Sequence, residues 1–83
     1  MEEVKIMFLE QIKQNREKAF EKFALRKGAV IVNLEDDGYY SYITKKGIKH
    51  TFVYFDSFEK YRKSDFYPEN PNCVDGFYFV SLI

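Results

Sequence analysis

The chain has 83 residues and no net charge, because thirteen Lys and Arg side chains balance thirteen Asp and Glu side chains. This length predicts a single domain that spans residues 1–83. DNA- and RNA-binding domains usually carry a basic excess, since phosphate contacts dominate their affinity, so the neutral balance argues against generic nucleic-acid binding. Cys73 is the only cysteine, which excludes an internal disulfide and suits a reducing compartment.

The N-terminal sequence and the apolar runs predict a soluble, cytoplasmic protein without membrane association. Glu2 and Glu3 stand where a signal peptide would carry basic residues, and no apolar core follows them. The longest apolar run is far too short to span a bilayer.

Residues 3–27 are predicted to form one long helix, because apolar residues return to one side at about 100° per residue. These residues are Val4, Phe8, Leu9, Ile12, Ala19, Phe20 and Phe23. Gly28 suits the end of the helix. A break near Asn15, within the polar stretch KQNREK, is the alternative.

The predicted helix is longer than the domain that has to cover it. Twenty-five residues make a rod of about 38 Å, whereas a globule of this size is roughly 30 Å across. One end should therefore overhang, and Ile6 and Met7 add apolar groups away from the main stripe. Two interpretations are open: this end docks on a partner, such as a second copy in a homodimer, or the C-terminal segment folds over it.

Three strands are predicted next, at 29–35, 39–44 and 48–55. The segments DDG and KKG suit three-residue turns that end on a left-handed glycine, Gly38 and Gly47. Such turns would pair Glu35 with Tyr39 and residue 44 with residue 48.

This register sorts the strand residues onto two faces. The more apolar face is predicted to lie under the helix and contains Val30, Val32, Leu34, Tyr40, Tyr42, Thr44, Ile48, His50, Phe52 and Tyr54. The opposite, outer face contains Ile31, Asn33, Glu35, Tyr39, Ser41, Ile43, Lys49, Thr51, Val53 and Phe55.

The remainder of the chain predicts a short helix, a loop and a last strand. Asp56 and Glu59 resemble a capping box, which favours a helix near 57–63. The segment YPENPNCVDG is rich in turn residues and predicts a loop, and FYFVSLI reads as a well-covered strand. The predicted fold is α+β, with one long N-terminal helix on a four-stranded, mostly antiparallel sheet, in the order α-β-β-β-short α-β.

Residues with catalytic or metal-binding chemistry are few and scattered. His50 is expected to lie on the core face opposite Tyr42, and a Cys–His pair would need His50 and Cys73 to meet in space. Asp36 and Asp37, with the adjacent Glu35, form an acidic cluster that suits a turn more than a metal site. We therefore predict no enzyme activity, no metal and no cofactor.

The outer face is the predicted partner-binding surface. Tyr and Phe are enriched in protein interfaces, and the lysines near the KKG turn offer charges that steer a partner. The residues predicted to bind are Tyr39, Ile43, Lys45, Lys46, Lys49 and Val53. Two alternatives are a solvated sheet face and a platform on which Tyr39, Lys49 and Phe55 stack single-stranded bases.

The sequence thus predicts a small, non-enzymatic module that docks on another protein as an inhibitor or regulator. A composition rich in Asn, Lys, Ile, Phe and Tyr, with three Ala, is typical of AT-rich genomes, including those of many phages. A phage or another mobile element would suit such a protein. The alternatives are a nucleic-acid-binding accessory domain and, third, a small enzyme or toxin.

Overall fold

The fold is α+β, with a long helix on one face of an antiparallel sheet. The computed structural model describes residues 2–34 and 38–82, with side chains from residue 8 onwards. The elements are α1 (Glu2–Arg26), β1 (Ala29–Leu34), β2 (Tyr39–Thr44), β3 (Lys49–Phe55), α2 (Phe58–Arg62), β4 (Asn72–Val74) and β5 (Phe77–Ser81). The strands are arranged in the order β1-β2-β3-β5-β4. In the described part of the chain, no helix combines the length and hydrophobicity needed to cross a membrane.

The sheet has five strands where the sequence predicted four. The extra strand, β4, lies in the segment predicted as a loop, and it pairs with β5 through Val74 and Phe77. Asp75 and Gly76 connect them with φ values of 51° and 87°. Two consecutive residues at positive φ form the tight turn that matches the twist of a hairpin. Because β5 lies between β3 and β4, the prediction of a well-covered last strand is confirmed.

The predicted register of the first three strands is confirmed over the described residues from Ile31 onwards, but at the start of β1 Ala29, and not Val30, pairs with Thr44. Gly47 has a φ of 83°, and the backbone N–H of Thr44 donates to the carbonyl of Ile48 at 3.0 Å. Gly38 has a φ of 85° and Leu34 pairs with Tyr40, as the first turn requires. The predicted pairing of residues 35 and 39 lies outside the described residues.

Two residues assigned to the core face are exposed. The pairing of β1 with β2 shifts between Ala29 and Ile31, which is the signature of a β-bulge. The bulge turns Val30 outwards, so that its exposed fraction is 63%, and Ala29 packs against the core instead. Ile48 is 53% exposed because it lies in the turn before β3.

The core is formed by the second half of α1 and the inner face of the sheet. Ala19, Phe20, Phe23 and Ala24 are buried, whereas Phe8 and Leu9 are 64% and 56% exposed. The prediction that Phe8 covers the sheet is therefore wrong, and the C-terminal strand does not cover it either. From Phe8 to residue 15 no helix residue is buried, so this part of α1 projects from the core.

The short helix α2 begins one residue later than predicted. Its N-cap is Ser57, whose hydroxyl accepts a hydrogen bond from the backbone N–H of Lys60 at 3.2 Å. Asp56 does not cap the helix. Its carboxylate instead accepts a hydrogen bond from Arg16 on α1, a contact between residues 40 positions apart.

The helix α1 contacts both edge strands of the sheet, β1 and β4. On the β4 side, Lys22 and Asp75 form an exposed ion pair at 3.8 Å. The sheet thus has an inner face that packs against α1 and an outer face on its other side.

Candidate functional site

The outer face of the first three strands consists of three rows of side chains that run across the sheet. Cross-strand pairing defines one row as Tyr39 and Val53, continued by Val80 on β5. It also gives a middle row of Asn33, Ser41 and Thr51, and a third row of Ile31, Ile43 and Lys49. Adjacent rows lie two residues apart, or about 7 Å. Two apolar rows therefore flank a polar one.

Part of this face is covered by α2 and the segment that follows it. Phe55 lies with its ring centroid 5.9 Å from that of Tyr61 and 6.1 Å from that of Phe66. Tyr78 stacks on Tyr61 at 5.7 Å with an interplanar angle of 5°. Aromatic pairs at these separations are favourable beyond the area that they bury. The cover extends over the end of the face where Phe55 and Tyr78 lie.

The part of the outer face that α2 does not cover exposes apolar side chains. We call it the open outer face and define it by Ile31, Tyr39, Ile43, Lys49 and Val53. Ile31 is 49% exposed and Tyr39 is 44% exposed, while Ile43 and Val53 are half-buried. Leu82 borders it through a hydrogen bond from its backbone N–H to the carbonyl of Thr51. Sequence reasoning placed Ile31 on this face, but it did not place Leu82, because the pairing of β5 with β3 was not evident.

Ser41 forms the floor of the open outer face. It is 3% exposed, and its hydroxyl has no hydrogen-bond partner among the described residues. A buried hydroxyl without a partner loses its hydration without compensation, which typically costs about 1–3 kcal/mol.

We expect Ser41→Ala to raise the free energy of unfolding by about 0.5–1 kcal/mol, because it removes a desolvated hydroxyl at little loss of packing. Urea unfolding followed by circular dichroism measures the change. The matched control is Ser64→Ala, which removes a hydroxyl that donates to the carbonyl of Tyr61 at 2.6 Å and should lower stability. A loss of stability at Ser41 equal to that at Ser64 would contradict the assignment.

The lysines predicted to bind a partner lie at one end of the open outer face. Lys49 belongs to the third row, and Lys45 and Lys46 occupy the turn between β2 and β3. All three are exposed. The structure thus brings the six predicted partner-binding residues onto one surface and its adjoining turn.

The predicted base-stacking platform is interrupted. Phe55 packs beneath α2, so its ring is not available beside Tyr39 and Lys49. Of the three residues, only Tyr39 presents an exposed aromatic ring.

A buried arginine, which sequence reasoning missed, joins α1 to the ends of β2 and β3. Arg16 is 8% exposed and donates to the hydroxyl of Tyr40 at 3.0 Å and to the carboxylate of Asp56 at 2.5 Å. Its guanidinium lies 4.0 Å from the ring centroid of Tyr54, a cation–π contact. Burial acts to lower the pKa of Arg16, but the hydrogen bonds with Tyr40 and Asp56 outweigh it and raise that pKa.

The same contact affects Tyr40. Burial raises the pKa of Tyr40 above 10.0, and the hydrogen bond from Arg16 offsets part of that shift. The hydroxyl of Tyr40 thus remains neutral, and it accepts a hydrogen bond from the permanently charged guanidinium of Arg16. We interpret the cluster as a structural anchor, because each of its polar groups is satisfied within the chain.

His50 and Cys73 do not form a pair in the sheet. His50 lies on β3 opposite Tyr42, as predicted, and the two rings stack at 4.9 Å. Cys73 lies on β4, and β5 separates the two strands. The described residues contain no group of three or more His, Cys, Asp or Glu that could hold a metal ion. The acidic cluster at residues 35–37 lies outside the described residues.

Self-association through Ile6 and Met7 remains a prediction, because their side chains lie outside those that the structure describes. Phe8 and Leu9, which follow them on the projecting part of α1, are exposed.

Fold and surface together define the chain as a small α+β domain with a partly open sheet face. No protein-family model matches the chain, and comparisons with curated proteins and with solved structures find no match either.

Proposed function

We propose that this protein is a small, non-enzymatic binding module that inhibits or regulates another protein by docking on it through the open outer face. The observation that carries the proposal is the exposure of Ile31 and Tyr39 beside half-buried Ile43 and Val53 on one rigid sheet. Aromatic and aliphatic anchors in the centre of a patch are the side chains that contribute most to protein interfaces.

The exposure of Ile31 and Tyr39 favours a protein partner over a nucleic acid, because apolar contacts rather than phosphate contacts would dominate on this face. Tyr39 would then be an anchor that becomes desolvated at the centre of the contact, which is where binding hot spots occur. The composition typical of AT-rich genomes supports a phage or mobile-element protein that acts on a host protein.

The turn lysines supply a charged rim. Lys45 and Lys46 are exposed next to the patch, and cations at such a position attract an acidic partner during diffusional encounter. We expect Lys45→Glu/Lys46→Glu to lower the association rate constant and to reverse its salt dependence, with a smaller effect on the dissociation rate constant. Surface plasmon resonance at several salt concentrations measures both. An unchanged association rate at low salt would exclude a role for the turn.

Affinity capture from the source cell, followed by mass spectrometry, tests the proposed function. The tagged wild type is compared with Tyr39→Ala and with Glu10→Lys/Glu21→Lys, which alters exposed residues of α1. We expect one dominant protein to be captured by the wild type and by the α1 variant, and to be depleted with Tyr39→Ala. Capture that nuclease treatment abolishes would favour a nucleic-acid-binding accessory domain instead.

A further inference from the structure

Two cavities, of about 300 Å³ and about 340 Å³, lie one after the other along α1, beside the edge strand β4 and the turn that follows it. We call the two together the groove. The first lies between the end of α1, at Phe23, Arg26 and Lys27, and β4. The second lies one to two turns earlier on the helix, at Asn15 and Lys18. Because a helix rises 1.5 Å per residue, the groove follows α1 for about 18 Å.

The groove has an apolar floor and a cationic rim. Buried Phe23 and Val74 line the first cavity, and half-buried Phe77 lines the second. The exposed cations along its helical side are Lys18, Lys22, Arg26 and Lys27. Among the residues that line the two cavities, one is acidic, Asp75, and it already pairs with Lys22 at 3.8 Å.

The strand side of the groove presents free backbone groups. In the described part of the chain, β4 has a pairing strand on one side only. The two-residue turn makes Val74 and Phe77 a hydrogen-bonded pair, and pairs alternate along an antiparallel ladder. The pair of Cys73 and Tyr78 is therefore not hydrogen-bonded, so the N–H and C=O of Cys73 point to the open edge.

We propose that an extended, acidic segment of a partner protein binds in this groove as a sixth strand beside β4. Its backbone bonds to the N–H and C=O of Cys73, and alternate side chains face the apolar floor. Its carboxylates lie against Lys18, Arg26 and Lys27. A length of 18 Å accommodates about five extended residues at 3.4 Å each. Addition of a strand to a free sheet edge is a common mode of peptide recognition.

The floor and the free edge favour a peptide over a nucleic acid. A phosphate backbone would use the cations, but it has no peptide N–H and C=O to pair with those of Cys73 and no apolar groups for the cavities. This groove is distinct from the open outer face, so its occupancy does not depend on residues such as Lys45 and Lys46.

Fluorescence anisotropy with a labelled peptide of alternating Glu and Leu tests the proposal, with a peptide of alternating Lys and Leu as its control. We expect only the acidic peptide to bind. Lys18→Glu/Arg26→Glu, at two exposed positions, should weaken binding by about tenfold or more, since it places like charges opposite the peptide. Lys45→Glu/Lys46→Glu should leave the affinity unchanged, and circular dichroism checks that both variants are folded.

The backbone N–H of Cys73 reports where the peptide binds, because it points to the open edge of β4. Saturating acidic peptide should slow the hydrogen exchange of this N–H, measured by nuclear magnetic resonance. The proposal would be overturned by an unchanged exchange rate at saturation, by equal affinity for the Lys18→Glu/Arg26→Glu variant, or by no binding of the acidic peptide. Displacement of that peptide by a short oligothymidylate that does not slow this exchange would assign the groove to nucleic acid.

Discussion

Replacement of Phe20 by alanine is expected to lower the free energy of unfolding by about 3–5 kcal/mol, the range typical of large-to-small changes in a core. Phe20 is fully buried, and its ring centroid lies 5.2 Å from those of both Tyr40 and Phe79 and 5.7 Å from that of Phe52. Phe20 and Phe23 both place their rings against β2, β3 and β5, and of the two only Phe20 is completely buried. Natural domains have about 0.05–0.15 kcal/mol of stability per residue, so this loss removes much of what a chain of this length has.

Urea unfolding followed by circular dichroism measures the effect, and Phe8→Ala is the matched control on the same helix. Phe8 is 64% exposed, so its replacement should change stability by no more than about 0.5 kcal/mol. If Phe20→Ala is unfolded in buffer, Phe20→Leu should still fold with a smaller loss. Similar losses at Phe8 and Phe20 would contradict the conclusion that the core begins in the second half of α1.

The second large effect is expected at Arg16. Arg16→Met keeps the aliphatic stem but removes the guanidinium, which leaves the carboxylate of Asp56 and the hydroxyl of Tyr40 without their donor. We expect a loss of about 2–4 kcal/mol, since removing one partner of a buried charged pair leaves the other uncompensated. The side chain of Asp56 is 28% exposed and has Lys60 at 3.8 Å, which holds the loss below that of a fully buried pair.

Thermal and urea unfolding measure this loss, with Arg26→Met as the matched control at an exposed position of the same helix. A double-mutant cycle with Asp56→Asn separates the interaction free energy of the Arg16–Asp56 pair from the packing contribution of the Arg16 side chain. The double variant should lose less stability than the sum of the single variants. The guanidinium of Arg16 would make no specific contribution to stability if the losses of the two single variants summed to the loss of the double variant. Equal losses of stability for Arg16→Met and Arg26→Met would lead to the same conclusion.

The part of the fold that local sequence determines was predictable. Gly38 and Gly47 each end a turn at positive φ, and those two residues define the register of three strands. The two turns are therefore sufficient to place Tyr39, Ile43 and Val53 together on the outer face. A long helix that overhangs a small core also follows from its length alone.

Features that depend on distant contacts were not predictable in the same way. Arg16 lies in a polar stretch of α1, and nothing in that stretch indicates its burial. The contact that buries it is with Asp56, which lies 40 residues away. Strand β4 was not predicted, because the prolines and asparagines around it are typical of a loop. The dipeptide Asp75-Gly76 is nevertheless a hairpin signal. The bulge at Val30 had no signal in its own residues.

The most direct test of the central claim is the dissociation constant of the captured partner for the wild type and for Tyr39→Ala, measured by isothermal titration calorimetry. Loss of an anchor at a hot spot should weaken binding by about 2 kcal/mol or more, which is about thirtyfold. Glu10→Lys/Glu21→Lys, at two exposed positions of α1, serves as the control and should bind like the wild type. Affinities within about twofold of the wild type for both Tyr39→Ala and Lys45→Glu/Lys46→Glu would contradict a binding role for the open outer face.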